Sequence, residues 1–246
     1  MGIPSERAEA LSADVTIQLS LDATRRRPLK GTEEDDDEED DEEDEDEGAE
    51  EDGKTPLYVA SENGHGGVVR ELLAVEGVGV NQATGTGRTP LYVASQEGHG
   101  EVVRELLAVE GVDINQATGD GFTPLYVAAQ EGHGDVVREL LAADGVDVNQ
   151  AEEDGFTPLF IASQMGHGGV VRALLAMEAV GVNQATGDGQ TPLFTASQEG
   201  HVEVVRELLE AEGVDVNKAK ETGMTPLMVA KEEGHQAIVA LLEEYT

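Results

Sequence analysis

Apolar residues in this chain come as paired clusters separated by Gly-rich polar stretches, and the pairs recur at a fixed distance. Thr-Pro-Leu begins at Thr55, Thr89, Thr123, Thr157, Thr191 and Thr225, 34 residues apart each time. A period of this size predicts stacked supersecondary units rather than one thick core. Within a unit, Thr is a good N-cap and Pro suits the first helical position. Gly64 and its equivalents close the segment about eight residues later, which predicts a first helix. After the Gly-His pair, Val68, Val69, Leu72 and Leu73 share one face at helical spacing and predict a second helix. Val112–Asn115, followed by Gly119-Asp120-Gly121, predicts a short extended segment and a tight turn. Helices of this length fall below the ~12–15 residues needed for marginal stability alone, so every unit must bury its apolar side against its neighbours.

The run Gly-Phe-Thr-Pro-Leu-Tyr-Val-Ala-Ala-Gln-Glu-Gly-His-Gly-Asp-Val-Val-Arg-Glu-Leu-Leu at 121–141 closely resembles the ankyrin repeat, and the resemblance extends over residues 52 to 246. It implies an all-α repeat solenoid of helix-turn-helix units joined by short extended hairpin turns. The repeats would be 55–88, 89–122, 123–156, 157–190, 191–224 and 225–246, the last truncated. It also implies a non-catalytic protein-binding scaffold that meets its partner through turn tips and exposed residues of the first helices. Two departures stand out. The family's His after Thr-Pro-Leu is replaced by Tyr58, Tyr92, Tyr126, Phe160, Phe194 and Met228, giving a larger apolar contact in one column. Each unit also has one residue more than the family's usual 33, between the Leu-Leu pair and the next Gly, which is expected to lengthen the second helix slightly.

Composition narrows the partner. The net charge of −37 argues against nucleic acid and anionic membranes, where affinity comes from cations against phosphates. A protein with a neutral or basic surface is the expected partner, bound by a monomeric scaffold. With no Cys, thiolate chemistry and Cys-ligated zinc are excluded. No apolar run reaches signal-peptide or membrane-span length, so the chain is expected in the cytoplasm; Gly2 is a poor myristoylation site because Glu6 stands where Ser or Thr is needed. Arg25-Arg26-Arg27-Pro28-Leu29-Lys30 would suit nuclear import, which makes the nucleus the alternative.

Residues 1–54 read as a separate arm. Its tract 33–52 holds 18 acidic residues, cannot bury apolar surface, repels itself and is expected to be disordered. Such a tract could instead be the main binding element, holding basic proteins in a chaperone-like way. It lacks the Asn and Gly placement of a calcium loop. Upstream, Val15, Ile17, Leu19 and Leu21 alternate with polar residues in a strand-like pattern, suited to a partner's sheet edge or to the uncapped side of the first repeat.

Gly48-Ala49-Glu50-Glu51-Asp52-Gly53-Lys54-Thr55 formally matches a phosphate loop, but three carboxylates inside it and the absence of a preceding buried strand oppose that use. The six histidines, His65 to His235, recur one per unit. Stacked helices ~8–10 Å apart are too distant for shared metal ligation. Each His is expected to bond a backbone group in its own loop or the adjacent unit. No Ser or Thr stands beside a His as a nucleophile would require, so neither a catalytic residue nor a cofactor is expected. Arg70, Arg104, Arg138, Arg172 and Arg206 form a column expected to be a solvated face.

Specificity is expected where repetition fails. The residue before Thr-Pro-Leu varies most, so Arg88, Phe122, Phe156, Gln190 and Met224 are candidate contacts, joined by Gln130, Glu131, Gln164 and Met165 of the first helices. Phe122 and Phe156 either form an exposed anchor or pack over their own turns. Ala179 stands where other units have Gly77, Gly111, Gly145 and Gly213. A left-handed backbone there would cost ~1 kcal/mol and give early hydrogen exchange around 176–186.

Overall fold

A computed structural model describes residues 53–245; the acidic tract, the alternating stretch 15–21 and the remainder of the arm before Gly53 lie outside the described residues. Six helix pairs follow one another: α1 (Pro56–Glu62) with α2 (Gly66–Leu73), α3 (Pro90–Gln96) with α4 (Gly100–Leu107), and α5 (Pro124–Gln130) with α6 (Gly134–Leu141). After these come α7 (Pro158–Gln164) with α8 (Gly168–Leu175), α9 (Pro192–Glu199) with α10 (Val202–Glu210), and α11 (Pro226–Glu232) with α12 (Gln236–Glu243). The first helices stack on one another in one row and the second helices in another, so the fold is an all-helical repeat solenoid. Its core is a continuous layer between the rows. The leading Leu of each first helix, Leu57 through Leu193, is at most 2% exposed.

Each first helix starts as its sequence dictates. The Thr hydroxyl oxygen accepts the backbone N–H three residues on, at 3.1 Å for Tyr58, Tyr92, Tyr126 and Phe160, and Pro follows it where no amide donor is needed. Each stops at a left-handed Gly: Gly132 has φ +77°. A side chain is excluded there twice over, because a Cβ at Gly132 would lie 2.7 Å from the His167 ring. The second helices do not take up the additional residue of the unit in general. They end at the second Leu in α2, α4, α6 and α8, and the residues beyond form turns; α10 runs one residue further, to Glu210. The expected extended segments are likewise turns, without strand pairing among the described residues. One of them is closed by Thr118 N–H to Phe122 O (3.1 Å) and Gly121 N–H to Thr118 O (3.0 Å).

Three side-chain ladders run between successive units, of which the His ladder joins all six. His99, His133, His167, His201 and His235 each place Nε2 2.8–3.0 Å from the carbonyl oxygen of Glu62, Gln96, Gln130, Gln164 and Gln198 in the preceding unit. A carbonyl only accepts, so Nε2 carries the proton, and the adjacent-unit role is the one these histidines perform. Asn81, Asn115, Asn149 and Asn183 form the second ladder. Asn115 donates Nδ2–H to Gly145 O (2.7 Å) and its Oδ1 accepts Asp147 N–H (2.9 Å), so one side chain brackets the next unit's turn.

The Asn ladder also settles Ala179. No residue other than Gly has positive φ among those described, so Ala179 keeps its backbone out of the left-handed region where its Cβ would clash. Its carbonyl still accepts Asn149 Nδ2–H at 2.7 Å. The strain on which early exchange at 176–186 depended is absent.

The third ladder lies on the solvated face expected for the Arg column, its Arg side chains 58–66% exposed. Arg70, Arg104 and Arg172 each reach a carboxylate in the following unit: Glu105 (2.6 Å), Glu139 (2.7 Å) and Glu207. The fourth unit has Ala173 at that position, and Arg138 turns back to Asp135 in its own helix. The hydrogen bond from Arg70 holds the Glu105 carboxyl below its ordinary pKa of 4.5, and those from Arg104 and Arg172 do the same for Glu139 and Glu207. A carboxylate depressed in the folded state supports folding above the ordinary value and loses that support as pH falls toward its lowered pKa. The Glu105→Gln, Glu139→Gln, Glu207→Gln variant should therefore show a shallower drop in urea midpoint below pH 4.5 than the parent chain.

Candidate functional site

The residues that break the period lie in two rows, at the two ends of the first helices. Arg88, Phe122, Phe156, Gln190 and Met224 precede the N-caps at the turn tips, and all are half-buried. Each aromatic ring is spent partly on its own unit. Phe122 lies over Tyr126 with centroids 5.1 Å apart, and Phe156 stacks on Phe160 at 4.7 Å and 13°. Packing over the turn is thus the geometry adopted, rather than a freely projecting anchor, because a residue just before an N-cap folds back on the first helical turn. Cations use the same seat in the earlier units: Lys54 Nζ is 5.6 Å from the Tyr58 centroid, and the Arg88 guanidinium is 5.9 Å from that of Tyr92. Gln190 is held from the side by Asp188, whose Oδ2 accepts its Nε2–H at 2.7 Å. That bond, with one from the Thr186 hydroxyl, keeps the Asp188 carboxyl below the usual range.

Above this seat the tips are acidic. Asp120, Glu153, Asp154, Asp188 and Glu221 are all exposed. The tips are also linked: Glu153 N–H reaches Asp120 O (3.2 Å), Gly187 N–H reaches Asp154 O (3.3 Å) and Glu221 N–H reaches Asp188 O (3.0 Å). Consecutive tips therefore form a connected edge.

The second row is the C-terminal end of the first helices. Gln130 and Gln164 are half-buried, and their carbonyls are the ones engaged by His167 and His201. Glu131 is exposed. Met165 is 46% exposed and occupies the position held by Glu97, Glu131, Glu199 and Glu233 in other units. An apolar, flexible side chain thus interrupts a line of carboxylates, and Met adapts readily to an uneven partner surface.

The polar groups of this region that chemistry could use have structural partners. The Thr hydroxyls are occupied as caps, the His rings as ladder donors, and Lys54 is paired with Glu62 at 3.2 Å. Among the described residues no group of three or more metal-ligating side chains converges, and no helix is long and apolar enough to cross a membrane.

The Asn ladder was missed in the sequence, although Asn recurs at the same 34-residue period as His and the same reasoning applied to it would have found it. A sequence model described as ankyrin repeats (3 copies) matches residues 34–118, 105–184 and 177–246. No curated protein matches the chain.

Proposed function

Since this chain belongs to the ankyrin repeat family, whose members are generally protein–protein interaction modules, we propose that it is a non-catalytic scaffold that holds a protein partner against its turn tips and first helices. The observation that carries this reading is that two departures from the repeat fall at the two ends of the same row of first helices. Phe122 and Phe156 present half-covered rings at the acidic turn tips, and Met165 replaces a carboxylate at the opposite end of α7. A partner matching that surface has basic side chains flanking an apolar one. Cations approach Asp120, Asp154 and Asp188 while the apolar group reaches Met165 and the exposed side of Phe156. Arg88, Gln190 and Met224 extend the contact to either side, with Gln130, Glu131 and Gln164 along the floor.

Replacing Met165 by Glu restores the uninterrupted carboxylate line without touching the core. Capture of bound protein from cell extract, identified by mass spectrometry, is expected to fall about tenfold for the principal partner, a loss equivalent to ~1.4 kcal/mol. The unfolding free energy should stay within ~0.5 kcal/mol, as for other exposed substitutions. Undiminished capture would sink the assignment of this surface.

The tract 33–52 supports a second reading, a chaperone-like holder of basic proteins in the cytoplasm or nucleus, because its charge density exceeds anything on the array. Deleting residues 1–52 separates the two. Retained partners place recognition in the repeats; lost partners with steep salt dependence place it in the tract.

A further inference from the structure

The two ends of the array are finished differently. In α12 the position of Leu73, Leu107, Leu141 and Leu175 is taken by Glu243, and in α11 the position of Ser61, Ser95, Ser163 and Ser197 is taken by Lys231. The four serines are 0% exposed. Lys231 and Glu243 are both exposed and pair at 2.8 Å, so the last unit closes its outward side with charge.

The first unit has no such replacement. Val68 and Leu72 of α2 keep the repeat's apolar residues and are half-buried. Their equivalents, from Val102 and Leu106 to Ile238 and Leu242, are at most 2% exposed. Val59 of α1 is half-buried too, while Val93, Val127 and Ile161 are 3–4% exposed. Leu72 also borders an open groove of about 260 Å³ whose lining includes Pro56, Val75 and Val78. A repeat array needs polar or covered terminal faces; the last unit carries the Lys231–Glu243 pair, although its Met228 and Tyr245 are also exposed, whereas the first unit keeps the repeat's own uncharged residues at those two positions.

We infer that residues 15–21 of the same chain cover this face, with Val15, Ile17, Leu19 and Leu21 against Val59, Val68 and Leu72. The connection, residues 22–52, is long enough to reach any part of the first unit at ~3.3 Å per extended residue, and it raises the local concentration of the segment to the order of millimolar. Charge agrees. Arg25, Arg26 and Arg27 follow the apolar segment after Asp22, Ala23 and Thr24, and the exposed Glu71 and Glu76 flank the face. A second copy of the chain is the poorer occupant, because joining two such faces would bring two tracts of 18 carboxylates to one junction.

The chain has no Cys, so the full-length protein reports cleanly on introduced pairs. Leu19→Cys with Val75→Cys should form a disulfide within one chain under mild oxidation, and Leu19→Cys with Ala211→Cys, the equivalent position of the fifth unit, should not. In the full chain carrying Ile17→Asp and Leu19→Asp, amide exchange in α1 and α2 should accelerate at least tenfold, with α5 to α8 unchanged. Equal cross-linking to both positions, unchanged exchange in α1 and α2, or disulfide-linked dimers in place of the intrachain bond would each overturn the inference.

Discussion

Leu140→Ala is expected to lower the unfolding free energy by about 2–5 kcal/mol, the range for removing a large buried aliphatic side chain and leaving a cavity. Leu140 is 0% exposed in α6, with the second helices of both flanking units packed against its own. A repeat array can relax only toward its neighbours, and here the neighbours hold the equivalent Leu106 and Leu174, themselves 0% exposed. The loss is felt at two junctions at once. Equilibrium urea unfolding should therefore show not only a lower midpoint but a lower apparent slope, as the array begins to melt in two parts around its third unit. Leu141→Ala, half-buried in the same helix, is the control and should cost less than half as much.

Gly132→Ala is expected to be nearly as damaging for a different reason. Its φ of +77° costs an L-residue ~1–2 kcal/mol, and the added Cβ would stand 2.7 Å from the His167 ring. Displacing the ring breaks its bond to Gln130 O, worth ~0.5–1.5 kcal/mol, so the total comes to about 1.5–3.5 kcal/mol. The check is specific. Calorimetry should show the destabilisation, and the His167 Nε2–H resonance should lose its slow exchange with solvent. By contrast Gly169→Ala, whose Cβ meets nothing within 4 Å on α8, should leave stability unchanged or raise it by up to ~1 kcal/mol.

These two positions also show why the fold was readable in the sequence and the site only partly so. Thr-Pro-Leu, Gly-His and Val-Val-x-x-Leu-Leu each encode a local requirement, a cap, a left-handed stop and a buried face, and repetition states each of them five or six times. The Arg ladder was less legible because its rungs join residues 35 apart in sequence, one more than the period, and appear only once the stacking register is known. Ala179 misled for the opposite reason. The turn needs a carbonyl at one place for Asn149, and more than one backbone path delivers it. Phe122 and Phe156 could have been settled by the capping geometry, since a residue before an N-cap has a nearby helical turn to rest on. How much of each ring a partner then uses is a property of the partner, which the repeat pattern does not encode.

Each His from His99 to His235 looks back one unit, each Asn bracket reaches forward one unit, and every Arg rung that forms does likewise. Chain length is accordingly a free variable in whole steps. Excising residues 89–122 would bring His133 to Glu62 O and Arg70 to Glu139, both meeting the same chemistry as before, whereas removing a number of residues that is not a multiple of 34 near the array's centre would misalign the ladders together. A protein built this way can grow or shrink by duplication and loss of 34-residue blocks, altering how long a partner it spans while leaving every internal junction as it was.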